Sequence, residues 1–171
     1  MRMVINGGHC PGKDPGAVGE AVQEADVCRK VMEQVSAFLR DEGHEVVSVQ
    51  SDSLEGIVGV SNGFSAELFV AIHCNSAADA RACGTETYFA SPTGEIAASC
   101  IQRQLVQALG TINRGAKEDG RLYVLRFTDA VAVLVEPAFL SNPSEEKLLA
   151  EQTGKLARAI ADGIEQYAAM S

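Results

Sequence analysis

The hydrophobic positions of the chain follow two alternating patterns, short continuous apolar runs and longer segments in which apolar residues recur at helical spacing. The runs Leu68–His73 (LFVAIH) and Ala130–Val135 (AVAVLV) are typical of central strands that are covered on both faces. Val22–Glu42 has helical spacing instead, and Gly43 is expected to end that helix. Strand-like runs that alternate with helical segments predict an α/β fold whose sheet is mainly parallel.

The other elements are predicted from shorter or interrupted patterns. Glycines interrupt the helix predicted over Leu54–Glu67, which weakens its helical propensity. Thr85–Phe89 is predicted as a strand near an edge of the sheet, and Leu122–Leu125 as a short strand. Ser144–Tyr167 is predicted as one long helix with Ser144 as its N-cap. The remaining predicted elements are the strands Arg2–Ile5 and Glu45–Gln50 and the helix Glu95–Leu109.

Composition and charge limit the classes of protein that the chain can represent. A length of 171 residues suits one domain, and 46% hydrophobic with 22% charged residues is usual for a soluble globular protein. Because 23 acidic residues outnumber 14 basic ones, giving a net charge of −9, binding to nucleic acid through a basic patch is not expected. No apolar stretch reaches the roughly 20 residues of a membrane span, and no signal peptide is recognised after Met1. The odd number of cysteines, five, favours reduced thiols over a disulfide framework.

Polar residues with metal-binding or proton-transfer chemistry stand at the ends of the predicted strands. His9 follows the first strand, His73 closes LFVAIH, Glu136 closes AVAVLV, and Glu24 lies near the start of the first long helix. Ligands of open α/β sheets bind beyond the carboxyl ends of the strands, and a charge there is costly unless it is paired or bound to metal. Two imidazoles and a carboxylate suit catalytic zinc, and a further carboxylate can act as its general base.

Each of these residues also has a simpler interpretation. A single histidine at a strand end is more often a hydrogen-bonded structural residue than a metal ligand. Cys10 and Cys74 stand beside the two histidines and could compete as ligands, although alternation along a strand points Cys74 to the opposite face. Glu86, on the strand assigned to an edge, is expected to be a solvated charge.

Five motifs follow one another along the chain: GHCPGKDPGAVG (Gly8–Gly19), Glu24, IHCNS (Ile72–Ser76), GTETYF (Gly84–Phe89) and LVEPAFLSN (Leu134–Asn142). In this order they resemble the motifs of the zinc-dependent N-acetylmuramoyl-L-alanine amidases of the amidase type 3 family. The resemblance implies a single α/β domain with a twisted, mostly parallel sheet of about six strands and helices on both faces. It also implies zinc held by His9, Glu24 and His73, with Glu136 as the catalytic carboxylate.

The implied reaction is hydrolysis of the amide bond between N-acetylmuramic acid and L-alanine in peptidoglycan. Two departures from the family pattern, Cys10-Pro11 after His9 and Pro137-Ala138 after Glu136, leave the implied ligands intact but alter loop sequences. Asn75 is expected either to contact substrate or to fix its own turn, and Arg126 either to bind a substrate carboxylate or to be a solvated cation.

Residues 1–171 are predicted to form one catalytic amidase domain without a separate wall-binding module. We expect a monomer that binds peptidoglycan, does not bind nucleic acid and does not insert into membranes. It is expected to be made in the cytoplasm without a signal peptide and to reach the wall after lysis, through a holin-type hole or by another export route. Two alternatives are a non-catalytic peptidoglycan-binding or regulatory domain that retains the zinc site, and another zinc peptidase or amidohydrolase.

Overall fold

A computed structural model describes residues 1–170, in which six strands and six helices are present. None of these helices is long and apolar enough to cross a lipid bilayer. The strands are β1 (Arg2–Gly7), β2 (Glu45–Val49), β3 (Leu68–Ile72), β4 (Thr85–Phe89), β5 (Asn113–Glu118) and β6 (Val131–Glu136). The helices are α1 (Glu24–Asp41), α2 (Leu54–Gly63), α3 (Pro92–Leu109), α4 (Tyr123–Phe127), α5 (Pro143–Glu151) and α6 (Thr153–Ala168).

The strands of the described chain form one six-stranded sheet in the order β2-β1-β3-β6-β4-β5. Neighbouring strands are parallel except for β4 and β6, which are antiparallel. The predicted α/β fold with a six-stranded, mostly parallel sheet is therefore confirmed. Because β1, β3 and β6 are adjacent and parallel, their carboxyl ends meet at one edge, where ligands of such sheets bind.

Helices cover both faces of the sheet because the central strands are apolar on both sides. All five residues of β3 are buried, and alternate residues belong to two different cores. Leu68 and Val70 pack with α1, α3 and α6, whereas Phe69 packs with the smaller helices α2 and α4. Each fully buried aliphatic side chain of this kind contributes about 1.5–3 kcal/mol to folding.

The region between α3 and β6 differs from its prediction. Leu122–Leu125 was predicted as a strand, but residues Tyr123–Phe127 form the short helix α4, which packs Val124 and Leu125 against the α2 face of the sheet. A short apolar run does not distinguish a strand from a buried helical turn by periodicity, so the prediction was wrong for that reason. The edge strand β5 was not predicted, because its sequence NRGAKE is polar and contains a glycine.

The helices predicted over Leu54–Glu67 and Ser144–Tyr167 also differ from the structure. The first ends at Gly63. The second is divided at Gln152, whose φ of −118° and ψ of 29° are not helical. Its N-cap is Asn142 and not Ser144, since the Asn142 side chain accepts hydrogen bonds from the next free backbone N–H groups. Pro143, which lacks an N–H group, suits the first helical position and shifts the cap to the preceding residue.

Candidate metal centre

The loop after β1 holds His9 in an unusual backbone conformation. His9 has φ +58°, in the left-handed region that non-glycine residues seldom adopt. The loop closes on itself through two backbone hydrogen bonds between Cys10 and Asp14, of 2.9 and 2.8 Å. Asp14 Oδ2 lies 2.7 Å from His9 Nδ1, which fixes the ring and leaves Nε2 facing the site. Backbone strain at such a position is typical of a functional residue that its surroundings hold in place.

Glu24 is the first residue of α1, and its buried carboxylate connects the loop after β1 to the residues that follow β3. Its Oε2 lies 3.2 Å from His9 Nε2 and accepts a hydrogen bond from Ala17 N at 2.9 Å. Its Oε1 lies 3.0 Å from His73 Nδ1 and accepts one from Cys74 N at 3.0 Å. Burial raises the pKa of Glu24, but these hydrogen bonds outweigh burial and lower it below its ordinary value. The Glu24 carboxylate is thus held ionised.

His73 directly follows β3, and its backbone N–H bonds the carbonyl of Val135 in β6 at 2.9 Å. Its neighbour Cys74 is 4% exposed and belongs to the core on the α1 side. The alternation expected for a strand therefore continues past Ile72, and it places the Cys74 thiol on the opposite side of the chain from the His73 ring.

His9, Glu24 and His73 together offer the donor set of a metal site. One ligand atom from each residue lies within 4.8 Å of the others. The pKa of His9 is raised to about 9, chiefly because Glu24 accepts its hydrogen bond; burial opposes this shift, and Asp14 adds to it. Two imidazoles and one carboxylate with an open side match the ligands of catalytic zinc. Their assignment as ligands stays a prediction.

Gly16 lets the loop approach these ligands closely. Its φ is +65°, and a Cβ atom there would lie 2.5 Å from His9 Cδ2 and 2.6 Å from Glu24 Oε2. Asp14 Oδ1 accepts a hydrogen bond from Gly16 N at 3.0 Å and so holds this turn against His9. A side chain at position 16 would therefore displace two of the three candidate ligands.

Glu136 ends β6 next to the histidines. The register pairs Ile72 with Val135, so His73 and Glu136 are the next residues of two adjacent parallel strands. The Glu136 Oε2 atom is buried and has no hydrogen-bond partner within residues 1–170. Burial, together with the negative charges of Glu24 and Glu86, raises the pKa of Glu136 well above its ordinary value. A partly buried carboxylate with a free oxygen is suited to accept a proton from substrate or water.

Glu86 was expected at the surface, and that expectation was wrong. Strand β4 is not an edge strand, because β5 covers its outer side, and the Glu86 side chain is only 4% exposed. Its Oε1 accepts hydrogen bonds from Asn75 Nδ2 at 2.7 Å and from the Tyr88 hydroxyl at 2.6 Å. Its Oε2 accepts them from Arg114 Nε at 2.6 Å and from Lys117 Nζ at 2.5 Å.

Burial raises the pKa of Glu86, but the hydrogen bonds from Lys117, Tyr88 and Arg114 outweigh it and lower the pKa to about 2. Sequence reasoning missed this group because two of its members lie on the unpredicted strand β5. Asn75 fixes its own turn, since its Oδ1 accepts from Ser76 N at 2.9 Å. Its contact with substrate stays a prediction.

A cleft of about 410 Å³ opens beside the histidines on the α2 and α4 side of the sheet. Its lining includes His9 and His73 together with apolar residues, namely Leu54, Ile57, Leu122, Tyr123, Val124 and Leu134. Arg126 lies instead in a groove with Ala130 and Val131, at the opposite end of β6 from Glu136. Its contact with a substrate carboxylate stays a prediction that this placement does not favour.

Comparison with known proteins gives one consistent family. The model of the N-acetylmuramoyl-L-alanine amidase family Amidase_3 matches residues 3–166. The uncharacterized protein YqiI of Bacillus subtilis is 42% identical over 95% of this chain and 82% of its own length. The N-acetylmuramoyl-L-alanine amidase LytC of Bacillus subtilis is 32% identical over 91% of this chain, which spans 33% of LytC. Among solved structures, the N-acetylmuramoyl-L-alanine amidase AmiC2 of Nostoc punctiforme is 30% identical, with a TM-score of 0.93 over 99% of this chain and 97% of that one.

Proposed function

This chain belongs to the N-acetylmuramoyl-L-alanine amidase family, and from that premise we propose that it hydrolyses the bond between N-acetylmuramic acid and L-alanine in peptidoglycan with a zinc ion. The observation that carries the proposal is the convergence of His9, Glu24 and His73 within 4.8 Å, beside Glu136, whose Oε2 atom is buried without a partner among the described residues. The predicted family and the predicted kind of enzyme are confirmed by the family match. The zinc ion and the individual residue roles belong to the proposal.

His9, Glu24 and His73 would hold the ion, and their chemistry fits it. Neutral imidazole nitrogens and a carboxylate oxygen are preferred zinc ligands, and three protein ligands leave a position open for substrate and water. Asp14 orients His9, and the backbone N–H groups of Ala17 and Cys74 orient Glu24. When bound, zinc supplies Lewis acidity for the scissile carbonyl and for the attacking water.

Glu136 is the proton carrier in this proposal. The pKa of Glu136 is raised, which brings it closer to neutral pH, and a group with such a pKa can both accept and release a proton efficiently. It takes the proton of the attacking water and delivers it to the amide nitrogen of L-alanine as the bond breaks. The strand register that places it beside His73 positions it for both transfers.

The proposal also covers the oligomeric state of the enzyme and the route by which it reaches peptidoglycan. We propose a monomer that meets peptidoglycan after lysis, through a holin-type hole or by another export route, and that has no affinity for nucleic acid or membranes. A non-catalytic wall-binding domain has no use for a buried carboxylate oxygen without a partner such as Glu136 Oε2, so the catalytic interpretation is favoured.

The test is to incubate the purified chain with a muramoyl-peptide and to measure the release of the L-alanine amine, with and without a chelator. We expect release that the chelator stops, that added zinc restores and that Glu136→Gln lacks. Release that survives both chelation and Glu136→Gln would contradict the proposal. Binding to wall material without any release would support the non-catalytic alternative.

A further inference from the structure

Two cations on the edge strand β5 are held by one buried carboxylate. Arg114 and Lys117 both donate to Glu86 Oε2, and their side chains are 36% and 38% exposed while that of Glu86 is 4% exposed. Two positive charges meet one negative charge, so the group carries one positive charge in excess. In an acidic chain with a net charge of −9, such a local surplus differs from the average surface.

The backbone of β5 is distorted at the position that aims Arg114. Thr85 pairs with Asn113 but Glu86 pairs with Gly115, so Arg114 is an extra residue in a β-bulge. Gly115 has φ +87°, a conformation that suits glycine and allows the bulge. Bulges often re-aim a side chain next to a functional site, and they are uncommon between parallel strands. At this bulge the Arg114 side chain turns toward Glu86, to which its Nε donates at 2.6 Å.

The loop that follows Glu136 supports the same guanidinium. Arg114 Cζ lies 4.9 Å from the centroid of the Phe139 ring, and Nη1 donates to the Cys83 carbonyl at 3.4 Å. The planar group is therefore fixed by Glu86 on one side and by Phe139 on another. Arg114 uses Nε and Nη1 in these bonds, which leaves the two N–H groups of Nη2 for a further acceptor.

These cations lie beside the proposed proton carrier. Glu86 and Glu136 are directly opposite in the antiparallel register of β4 and β6, so their side chains share one face of the sheet. Directly opposite residues of such strands have Cβ atoms about 4.5–5.5 Å apart. The apolar cleft lies on this same face of the sheet, over β1 and β3, whereas β5 lies on the other side of β6 in the strand order. The cations and the cleft therefore flank Glu136 from opposite sides along the sheet.

We propose that Arg114 and Lys117, held by Glu86, form a subsite that binds a carboxylate of the stem peptide next to the scissile amide. The inference rests on the proposed function. The lactyl carboxyl of the muramoyl group is consumed in the scissile amide, so the free carboxylates of a muramoyl-peptide lie on its peptide side. The subsite thus assigns the peptide to the β5 side of Glu136 and the sugar to the cleft side. Guanidinium and ammonium donors bind a carboxylate through charge-assisted hydrogen bonds.

The test compares two probes of nearly equal size, N-acetylmuramoyl-L-alanyl-D-glutamic acid and its diamide. For the unmodified chain we expect kcat/KM for the acid to exceed that for the diamide about ten-fold or more, mainly through KM, as one charge-assisted hydrogen bond predicts. The preference should fall as the sodium chloride concentration rises, because salt screens the exposed side of the subsite. This salt measurement needs no variant.

Lys117→Gln should remove most of the preference for the acid, and Lys117→Arg should retain it. The matched control is Arg158→Gln, which removes one positive charge from α6, where Arg158 pairs with Asp162 at 2.9 Å on the opposite face of the sheet. For Arg158→Gln, the ratio of kcat/KM for the acid to kcat/KM for the diamide should equal the ratio of the unmodified chain. A purely structural role of Lys117 would lower the cleavage of both probes by the same factor and leave the ratio unchanged.

Equal cleavage of both probes by the unmodified chain would overturn the subsite and leave the proposed function standing. A preference that persists in Lys117→Gln, or that does not respond to salt, would also overturn the subsite alone. Cleavage of neither probe would overturn the proposed function and this inference with it.

Discussion

Replacing Gly16 by alanine perturbs the candidate metal centre through a single methyl group. The added Cβ would lie 2.5 Å from His9 Cδ2 and 2.6 Å from Glu24 Oε2. Ordinary carbon–carbon contact begins at about 3.5 Å, so the His9 ring must move by about 1 Å or the loop must shift. A displacement of about 1 Å in a reacting group costs on the order of a hundred-fold in rate.

Gly12 provides the matched control in the same loop. Its φ is +81°, so Gly12→Ala carries a backbone cost of about 1–2 kcal/mol, similar to that of Gly16→Ala at φ +65°. Apart from its two neighbours in the chain, no described residue has an atom within 4 Å of a Cβ at position 12. The two variants therefore share the backbone strain and differ in the collision with His9 and Glu24.

We expect Gly16→Ala to lower zinc affinity about ten- to a hundred-fold, as disruption of the residues that orient a ligand commonly does. Gly12→Ala should keep the affinity of the unmodified chain. In the presence of a chelator both variants should lose thermal stability, and Gly16→Ala should lose more because it also carries the collision with His9 and Glu24. The assay is a competition titration of zinc against a chromophoric chelator. If the two variants bound zinc equally well, the close approach of Gly16 to the ligands would have no functional meaning.

Three further predictions concern buried or paired carboxylates. Glu145 accepts hydrogen bonds from two backbone N–H groups at 2.8 and 2.7 Å, so Glu145→Gln should lower the free energy of unfolding in urea by about 1.5–3 kcal/mol. Glu151 is exposed on the same helix, and Glu151→Gln should change that free energy by less than about 0.5 kcal/mol. Equal effects of the two variants would refute a stabilising role for the Glu145 hydrogen bonds. Glu136→Gln should lower the rate of amide cleavage about 10²–10⁴-fold with unchanged zinc content, and a variant that keeps full activity would exclude Glu136 as the proton carrier. The folded-state pKa of Glu86 lies near 2, below its ordinary 4.5, so the stability advantage of the unmodified chain over Glu86→Gln should be present above pH 4.5 and decline as the pH falls toward 2; an advantage that grew on acidification would contradict the ion-pair network.

The central part of the fold and the candidate ligands could be predicted from the sequence. The apolar runs before His73 and Glu136 are long enough to indicate buried strands, and a polar residue that ends such a run has an energetic cost that calls for an explanation. The structure brings His9, Glu24 and His73 together as the motif order implied. The parallel arrangement of β1, β3 and β6 explains why residues so remote in sequence converge.

The β5 edge of the sheet could not be predicted from the sequence in the same way. The sequence of β5 is polar, and its register depends on a bulge at Arg114 that no local pattern reveals. Without β5, β4 was assigned to an edge and Glu86 to the solvent. The burial of Glu86 depends on Arg114 and Lys117, which are 28 and 31 residues away in sequence, so only the assembled fold shows the group.

The most direct test of the account is the zinc content of the purified chain and of His73→Ala, measured by atomic emission after dialysis. His73 is one of three candidate ligands, and two ligands are too few to hold zinc in a structural or catalytic site. The account predicts about one zinc ion per chain for the unmodified protein and almost none for His73→Ala, as the ligand count of such sites requires. Equal zinc content in the two proteins, or none in the unmodified one, would contradict it.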